Sequence, residues 1–137
     1  MVTANGKPVP VPDPVSEPFW GALRDGTFLL QRCSNCGRQQ FYPRAACAHC
    51  GAMDLEWAPA SGRGQVHSYT VIHRSGIPGW RDEVPYVVAI IELDEGPRMQ
   101  SNVIGCDPNE VAVGARVRLS PTPVTEAISL PLFVLDR

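Results

Sequence analysis

The stretch that decides the fold is a pair of short repeats, CSNCG at residues 33–37 and CAHCG at residues 47–51. In each repeat two residues separate the cysteines and a glycine follows directly, so the full pattern reads C-x2-C-x10-C-x2-C. Backbone amides in such a turn can point at both sulfurs, and the glycine readily adopts the positive φ that closes it. Two of these turns, here called knuckles, supply four thiolates, the closed tetrahedral set typical of structural Zn²⁺. The predicted zinc ligands are Cys33, Cys36, Cys47 and Cys50.

A closed site of four thiolates offers no open position for water or substrate, so its predicted role is in folding rather than catalysis. Iron in the same all-thiolate geometry and two metal-free reduced pairs remain alternatives, because the pattern alone does not select the metal. His49 lies inside the second knuckle and could compete as a ligand, although four cysteines already complete the shell. Cys106 lies far from the other four cysteines and is interpreted as a small buried residue.

The amino-acid composition limits the classes of protein to which the chain can belong. The chain has 137 residues, 44% of them hydrophobic, which is enough to bury a core. The net charge is -2 and Lys7 is the single lysine, so a surface that neutralises many phosphates is not expected and nucleic-acid binding is disfavoured. We expect no membrane span, since no apolar run approaches about 20 residues, and no signal peptide at the start. The expected location is cytoplasmic, where clustered cysteines hold metals more often than they form disulfides.

Three segments follow from the composition along the chain: a proline-rich arm with a short helix over 1–26, a zinc ribbon over 27–60 and a barrel over 61–137. Four prolines within the first fourteen residues predict an extended arm that lies across a partner or across another part of the domain. The stretch VSEPFWGALR at 15–24 predicts a helix with Ser16 as its N-cap.

The rest of the chain has the pattern of a mainly β protein. Strands are expected at 27–32 and 55–57 on either side of the knuckles. Beyond residue 61, five more are expected between Gly/Pro turns, at 65–73, 86–94, 98–104, 115–120 and 132–135. Five short strands without a long helix predict a small barrel.

Several stretches together resemble the DUF35 family, from about residue 14 to the end of the chain. They are FWGALRDGTFLLQRCSNCG (19–37), FYPRAACAHCG (41–51), LEWAPASGRGQVHSYTVIHR (55–74), PYVVAIIELDEGPRMQSNVIG (85–105) and DPNEVAVG (107–114). The resemblance implies a rubredoxin-like zinc ribbon joined to a five-stranded C-terminal OB-fold. A zinc ribbon alone is common, whereas a ribbon followed by SGRG and ELDEGPR is specific.

The resemblance also implies an accessory role in acyl-CoA metabolism, in a hetero-oligomer with a thiolase-like enzyme. The hypothesis is a non-catalytic subunit that docks on a thiolase-superfamily enzyme and helps to form its acyl-CoA site. The favoured reaction is retro-aldol cleavage of a steroid side-chain 3-hydroxyacyl-CoA, since the arginine-rich composition with abundant Ala, Val, Gly and Pro fits an actinobacterial setting. The alternatives are a conventional thiolase, a hydroxymethylglutaryl-CoA synthase, a MaoC-like hydratase, or a chaperone role alone.

No residue pattern predicts an independent enzyme. His67 and His73 stand six residues apart in the first barrel strand, and a period of two would place them on the same face. No acidic residue adjoins them in a recognisable triad or metal motif, and neither a phosphate loop nor a nucleophile elbow is present. We therefore expect the catalytic groups to belong to the partner.

Binding residues are the better expectation. Arg63 lies between two glycines, while Arg74 and Arg81 flank a Gly/Pro-rich loop that contains Trp80. Guanidinium groups beside an aromatic ring could hold the phosphates and adenine of coenzyme A, the alternative being a solvated loop.

Two further surfaces are suggested by aromatic residues. Phe19 and Trp20, expected to be exposed, would form the partner interface together with the proline arm and part of the barrel. Single-stranded nucleic-acid binding, with Tyr69 and Tyr86 stacking on bases, is the rival interpretation of an OB-fold.

Overall fold

Residues 2–3 and 6–137 are described by a computed structural model. The N-terminal half contains helix α1 (Glu17–Arg24) and three strands, β1 (Leu29–Cys33), β2 (Gln39–Gln40) and β3 (Leu55–Pro59). The strands form an antiparallel sheet in the order β2-β1-β3, with the knuckles at its ends. This sheet with its two cysteine turns is the predicted zinc ribbon.

The C-terminal half is a closed barrel. Its strands are β4 (Arg63–Ile72), β5 (Tyr86–Leu93), β6 (Arg98–Ile104), β7 (Arg116–Pro123) and β8 (Ser129–Leu135). They follow the order β4-β5-β6-β8-β7, which returns to β4. All neighbours are antiparallel except β6 and β8, which pair in parallel at only two positions, Val103 with Phe133 and Ile104 with Val134. The predicted fold class is confirmed: mostly β, with one N-terminal helix, a zinc ribbon and a five-stranded OB-fold barrel.

Strand β5 shows why the sequence closes into a barrel. Every second residue of this strand is buried, from Val87 through Ala89 and Ile91 to Leu93. A strand that lines a barrel alternates in this way, because successive side chains point to opposite faces. The turn after β5 is closed by the amide of Gly96, which donates to the carbonyl of Leu93 at 2.9 Å.

Strand β4 departs from simple alternation. Its register with β5 shifts between Val66 and Ser68, so His67 lies in a β-bulge. The strand ends at Ile72, which leaves His73 outside it. The expectation that period two carries both histidines to one face is therefore wrong, because the bulge adds a residue to the count.

One hydrophobic core joins the helix, the ribbon and the barrel. Phe19 is 1% exposed and its ring packs edge-on against Trp20, Phe28 and Phe41, with centroids 5.1, 6.0 and 5.4 Å away. Leu23 continues the same apolar face of α1. The expectation that Phe19 is an exposed interface residue is wrong, because the helix turns this ring into the shared core.

Helix α1 starts after Ser16, as predicted, but without the usual capping hydrogen bond. Ser16 occupies the N-cap position, but its side chain makes no capping hydrogen bond. Its hydroxyl instead accepts from the backbone amide of Asp13 at 3.1 Å, and its own amide donates to the Asp13 carboxylate at 2.7 Å. A reciprocal turn between Asp13 and Ser16 therefore leads into the helix, and the Ser16 hydroxyl is used there.

The proline arm folds back on its own barrel. The Lys7 ammonium lies 4.1 Å from the centroid of the Trp80 ring and forms an ion pair with Glu83. Gly79 permits this approach, since a Cβ there would lie 2.5 Å from the Cα of Lys7. The arm was predicted to lie across a partner or across another part of the domain. Residues 6–8 lie across the domain itself. Val11, further along, remains 74% exposed.

The helix α1 is the single α-helix among residues 2–3 and 6–137, and it is much too short to cross a bilayer.

Candidate metal centre and binding surfaces

The four knuckle sulfurs form one compact cluster. All lie within 4.8 Å of one another, and Cys33–Cys50 and Cys36–Cys47 are each separated by 3.7 Å between Sγ atoms. A tetrahedral site with metal–sulfur bonds of about 2.3 Å has sulfur–sulfur edges of about 3.8 Å. The spacing therefore fits a closed tetrahedral zinc ion. His49 is not part of the cluster.

The two knuckles have the same backbone geometry. The amide of Gly37 donates to the carbonyl of Cys33 at 2.8 Å, and the amide of Gly51 donates to that of Cys47 at 2.9 Å. Both glycines have positive φ, 77° and 80°, as the sequence predicts. This repeated turn places each cysteine pair on the same side of its loop, and the sheet brings the two pairs together.

The pKa values show how unevenly four adjacent thiols share negative charge. The pKa of Cys50 is lowered to about 6, first by the Asn35 side-chain amide that donates to its sulfur and then by the backbone of Ala52. The pKa of Cys36 is raised to about 11: the Arg38 backbone amide favours the thiolate, but burial and the neighbouring sulfurs outweigh it. A cation among the four sulfurs would favour the thiolate form of each.

A pair of buried glutamines supports the second knuckle. Gln31 and Gln40 are 5% and 4% exposed, and the Gln40 amide donates to the Gln31 side-chain oxygen at 2.8 Å. Gln31 also bonds both the amide and the carbonyl of Arg44, each at 2.8 Å, and Gln40 accepts from the amide of Ala48 at 2.8 Å. The ribbon sheet thereby fixes the loop that carries Cys47.

Arg63 does not share a surface with the other predicted coenzyme residues. It begins β4, whereas Arg74 follows the end of that strand, about 30 Å away along the chain at 3.3 Å per residue. Its guanidinium lies 2.5 Å from the Asp136 carboxylate, which also faces Arg118 at 3.8 Å. Arg63 therefore lies at the other end of β4 from Arg74, and its guanidinium already has a carboxylate partner.

The other three predicted coenzyme residues, Arg74, Trp80 and Arg81, lie in the loop between β4 and β5. Trp80 packs against Tyr86 with a centroid distance of 5.1 Å, and the Lys7 ammonium lies 4.1 Å from the centroid of the Trp80 ring. Arg74 and Arg81 are exposed, and neither has a carboxylate within 4.0 Å among the described residues. This loop presents two free guanidinium groups, but its aromatic ring is already engaged.

A shallow apolar surface runs over the arm and α1. Its lining includes Pro12, Val11, Trp20 and Ile128, and we call it the arm–helix face. Trp20 is half-buried there while its neighbour Phe19 points inward. Of the two predicted interface aromatics, only Trp20 reaches a surface.

A larger opening separates the ribbon from the β5–β6 hairpin, and we call it the ribbon–barrel cleft. It encloses about 670 Å³ and is lined by Arg38, Arg44, His49, Glu92, Glu95 and Arg98, among others. None of these arginines is predicted from the sequence, because Arg38 and Arg44 belong to the ribbon and Arg98 to the barrel, and only folding brings them together.

Comparison with known proteins identifies the family. Residues 20–56 match the model described as "ChsH2, rubredoxin-like zinc ribbon domain", and residues 57–120 match "ChsH2, C-terminal OB-fold domain". A DUF35 domain-containing scaffold protein of Methanocaldococcus jannaschii is 38% identical over 100 residues, which cover 72% of this chain and 70% of that protein. The chain belongs to the DUF35 family. The family's ribbon and the sulfur geometry agree, and the four cysteines of this DUF35 chain are positioned for a structural Zn²⁺.

Two further comparisons concern enzymes. A solved structure titled "Ltp2-ChsH2(DUF35) aldolase" superposes with a TM-score of 0.81 at 33% identity, over 92% of this chain and 98% of that one. A probable enoyl-CoA hydratase alpha subunit of Thermomonospora curvata is 37% identical over 116 residues. The match covers 84% of this DUF35 chain but only 36% of that subunit.

Proposed function

We propose that this chain is a non-catalytic accessory subunit that docks on a thiolase-superfamily enzyme and helps to form its acyl-CoA site. The proposed reaction is retro-aldol cleavage of a steroid side-chain 3-hydroxyacyl-CoA. The observation that carries the proposal is the likeness, along 92% of the chain, to a DUF35 protein solved as part of an aldolase. The closed metal site agrees with it, because four thiolates leave no coordination position for a substrate.

The histidines give no sign of a separate active site. The Nδ1 atom of His67 lies 3.7 Å from the Glu92 carboxylate, and Arg98 reaches the same carboxylate at 3.3 Å. All three side chains are at least one-third exposed. Side chains this exposed do not enclose a shielded substrate, so we assign the catalytic groups to the partner.

The proposed docking surface is the arm–helix face. Trp20 supplies a large half-buried ring, and the prolines around Val11 hold an extended backbone that costs little entropy to order on binding. The arm–helix face is apolar over much of its area, which suits contact with another subunit. The loop with Arg74 and Arg81 is proposed to meet the coenzyme where the two subunits join.

The test is co-expression with a thiolase-like enzyme that lacks the usual pair of catalytic cysteines. We expect a stable hetero-oligomer by size-exclusion chromatography with light scattering, and retro-aldol turnover that needs both chains. Val11→Asp should weaken the complex at least about tenfold, because a buried unpaired charge is costly. The matched variant Val113→Asp, on a side chain 67% exposed in the link before β7, should leave it intact. Equal behaviour of the two variants would contradict the docking surface.

A second candidate is a role in hydration. It is favoured by the 37% identity to the Thermomonospora curvata hydratase alpha subunit, of which this chain matches about a third. Co-expression with a MaoC-like protein and loss of the enoyl-CoA absorbance would support this candidate. Retro-aldol release of a carbonyl product in the first experiment, with no hydration in the second, would rule it out.

A further inference from the structure

The ribbon–barrel cleft has an unbalanced charge. Seven arginines have a carboxylate oxygen within 4.0 Å, and those without one among the described residues are Arg38, Arg44, Arg74 and Arg81. Two of these four line the cleft. Guanidinium groups without a counter-charge in a concave surface attract anions, and their planar donors suit phosphate.

We propose that the ribbon–barrel cleft of this chain binds a phosphate-bearing small molecule of nucleotide size, with its phosphates on Arg38 and Arg44. The cleft encloses about 670 Å³. That volume lies within the roughly 300–1,000 Å³ of small-molecule sites. This site belongs to the isolated chain and does not depend on the proposed partner.

The backbone of both arginines is held before any ligand arrives. Gln31 bonds the amide and the carbonyl of Arg44, each at 2.8 Å. The carbonyl of Arg38 accepts from the amide of Cys33 at 2.9 Å, at the base of the first knuckle. A site whose backbone is already ordered loses less entropy when it binds.

Arg38 retains donors that the fold does not use. Its Nη1 lies 3.4 Å from Nδ1 of His49, and a guanidinium can only donate in that contact. The remaining N–H groups of the guanidinium are left for the phosphates.

The opposite side of the cleft supplies acceptors. Glu92 is occupied by Arg98 at 3.3 Å, and one oxygen of Glu95 accepts from the amide of Ser61 at 2.7 Å. Both glutamates line the cleft across from the arginines. Since carboxylates accept hydrogen bonds, a ligand that carries N–H groups as well as phosphate complements the cleft better than phosphate alone.

The experiment uses the zinc-loaded full chain without any partner enzyme. Isothermal titration at low ionic strength compares ADP with pyrophosphate as probes. We expect ADP to bind more tightly than pyrophosphate. The double variant Arg38→Gln/Arg44→Gln should weaken ADP binding about tenfold or more, because each substitution removes a charge-assisted contact to the phosphates. Zinc content and circular dichroism verify that the variant is folded.

The matched control is Arg118→Gln/Arg137→Gln, which removes the same charge from two exposed arginines that do not line the cleft. It should change ADP affinity by less than about twofold. No ADP binding by the wild type, or an equal loss in both double variants, would overturn the site. Equal affinity for pyrophosphate and ADP would overturn the nucleotide assignment. Because no partner is present, none of these results bears on the docking proposal.

Discussion

At the scale of single residues, the sequence is most informative where the chemistry is local. The ligand set Cys33, Cys36, Cys47 and Cys50 follows from spacing alone, because two residues between cysteines leave few other uses. The buried pair Gln31 and Gln40 was missed, since a glutamine in a ribbon strand has no pattern that separates a buried amide from a solvated one. Only the folded sheet shows that both amides bond the loop of the second knuckle.

The glutamine pair leads to the first prediction. Gln40→Met should lower the free energy of unfolding of the zinc-loaded chain by about 2 kcal/mol, because the buried Gln31 oxygen and the Ala48 amide each lose a partner. Urea unfolding followed by circular dichroism measures the change. Gln100→Met, at an exposed position of β6, serves as the control. Equal midpoints for the two variants would show that the network contributes nothing to stability.

A second residue-scale prediction concerns pH. The pKa of Asp94 is held below its usual value by the two hydrogen bonds it accepts from Arg116, at 2.9 and 2.8 Å. A lowered carboxyl pKa contributes stability above the ordinary pKa of 3.8, and that contribution is lost as pH falls through the lower folded value. Arg116→Gln should therefore raise the pKa of Asp94 toward 3.8 in an NMR titration of the carboxyl carbon.

The control for this titration changes a second arginine–carboxylate pair. Arg137→Gln should raise the pKa of Glu110, which Arg137 hydrogen-bonds at 3.0 Å, and leave that of Asp94 unchanged. Movement of both pKa values in both variants would mean that long-range charge rather than the paired contact sets them.

At the scale of elements, hydrophobic alternation and turn residues predict the barrel strands well. Strand β6 (Arg98–Ile104) begins and ends where the sequence indicates, whereas β8 begins at Ser129, three residues before its expected start. Pro131 explains that difference, because a proline disfavours a strand assignment although an edge position tolerates it. Strand β2 was missed because two glutamines carry no strand signal. Its pairing with β1 depends on the knuckle before it.

The ribbon is the element whose stability depends on metal. Cys36→Ser should lower the bound zinc to well below one equivalent and unfold the ribbon, because the remaining three thiolates leave the shell open. Zinc release measured with a colorimetric chelator, together with circular dichroism, gives the result. Cys106→Ser is the matched control, since this half-buried cysteine lies outside the cluster. Loss of zinc from the Cys106 variant would contradict the assignment of ligands.

At the scale of the whole molecule, the order of ribbon and barrel was predictable and their joint core was not. Sequence patterns describe one element at a time, so the FW pair at residues 19–20 indicated an apolar helix face without indicating what covers it. The structure turns Phe19 into the core and leaves Trp20 at the surface. The arginines of the ribbon–barrel cleft were missed for the same reason, since they come from separate elements.

The joint core predicts cooperative unfolding. Phe19→Ala should lower the free energy of unfolding by about 3–5 kcal/mol, because a fully buried ring is lost and a cavity remains. Its ring belongs to one buried cluster that contains Phe28 of the ribbon and Val66 and Phe133 of the barrel, so both parts should lose stability together in one thermal transition. Val11→Ala, at a position 74% exposed, should change it by less than about 0.5 kcal/mol. Two separate transitions in the wild type would contradict the shared core.

The parallel contact between β6 and β8 has a consequence for motion within the folded barrel. It closes the ring with two residue pairs, fewer than any other junction in the barrel. Beside it, the Ser101 hydroxyl donates to the carbonyl of Pro131 at 2.7 Å. Local opening follows the junction with the fewest backbone bonds, so amide protons of residues 103–104 and 133–134 should exchange with deuterium sooner than those between β4 and β5. The barrel is then best regarded as a curved sheet whose closure depends on the short β6–β8 pairing.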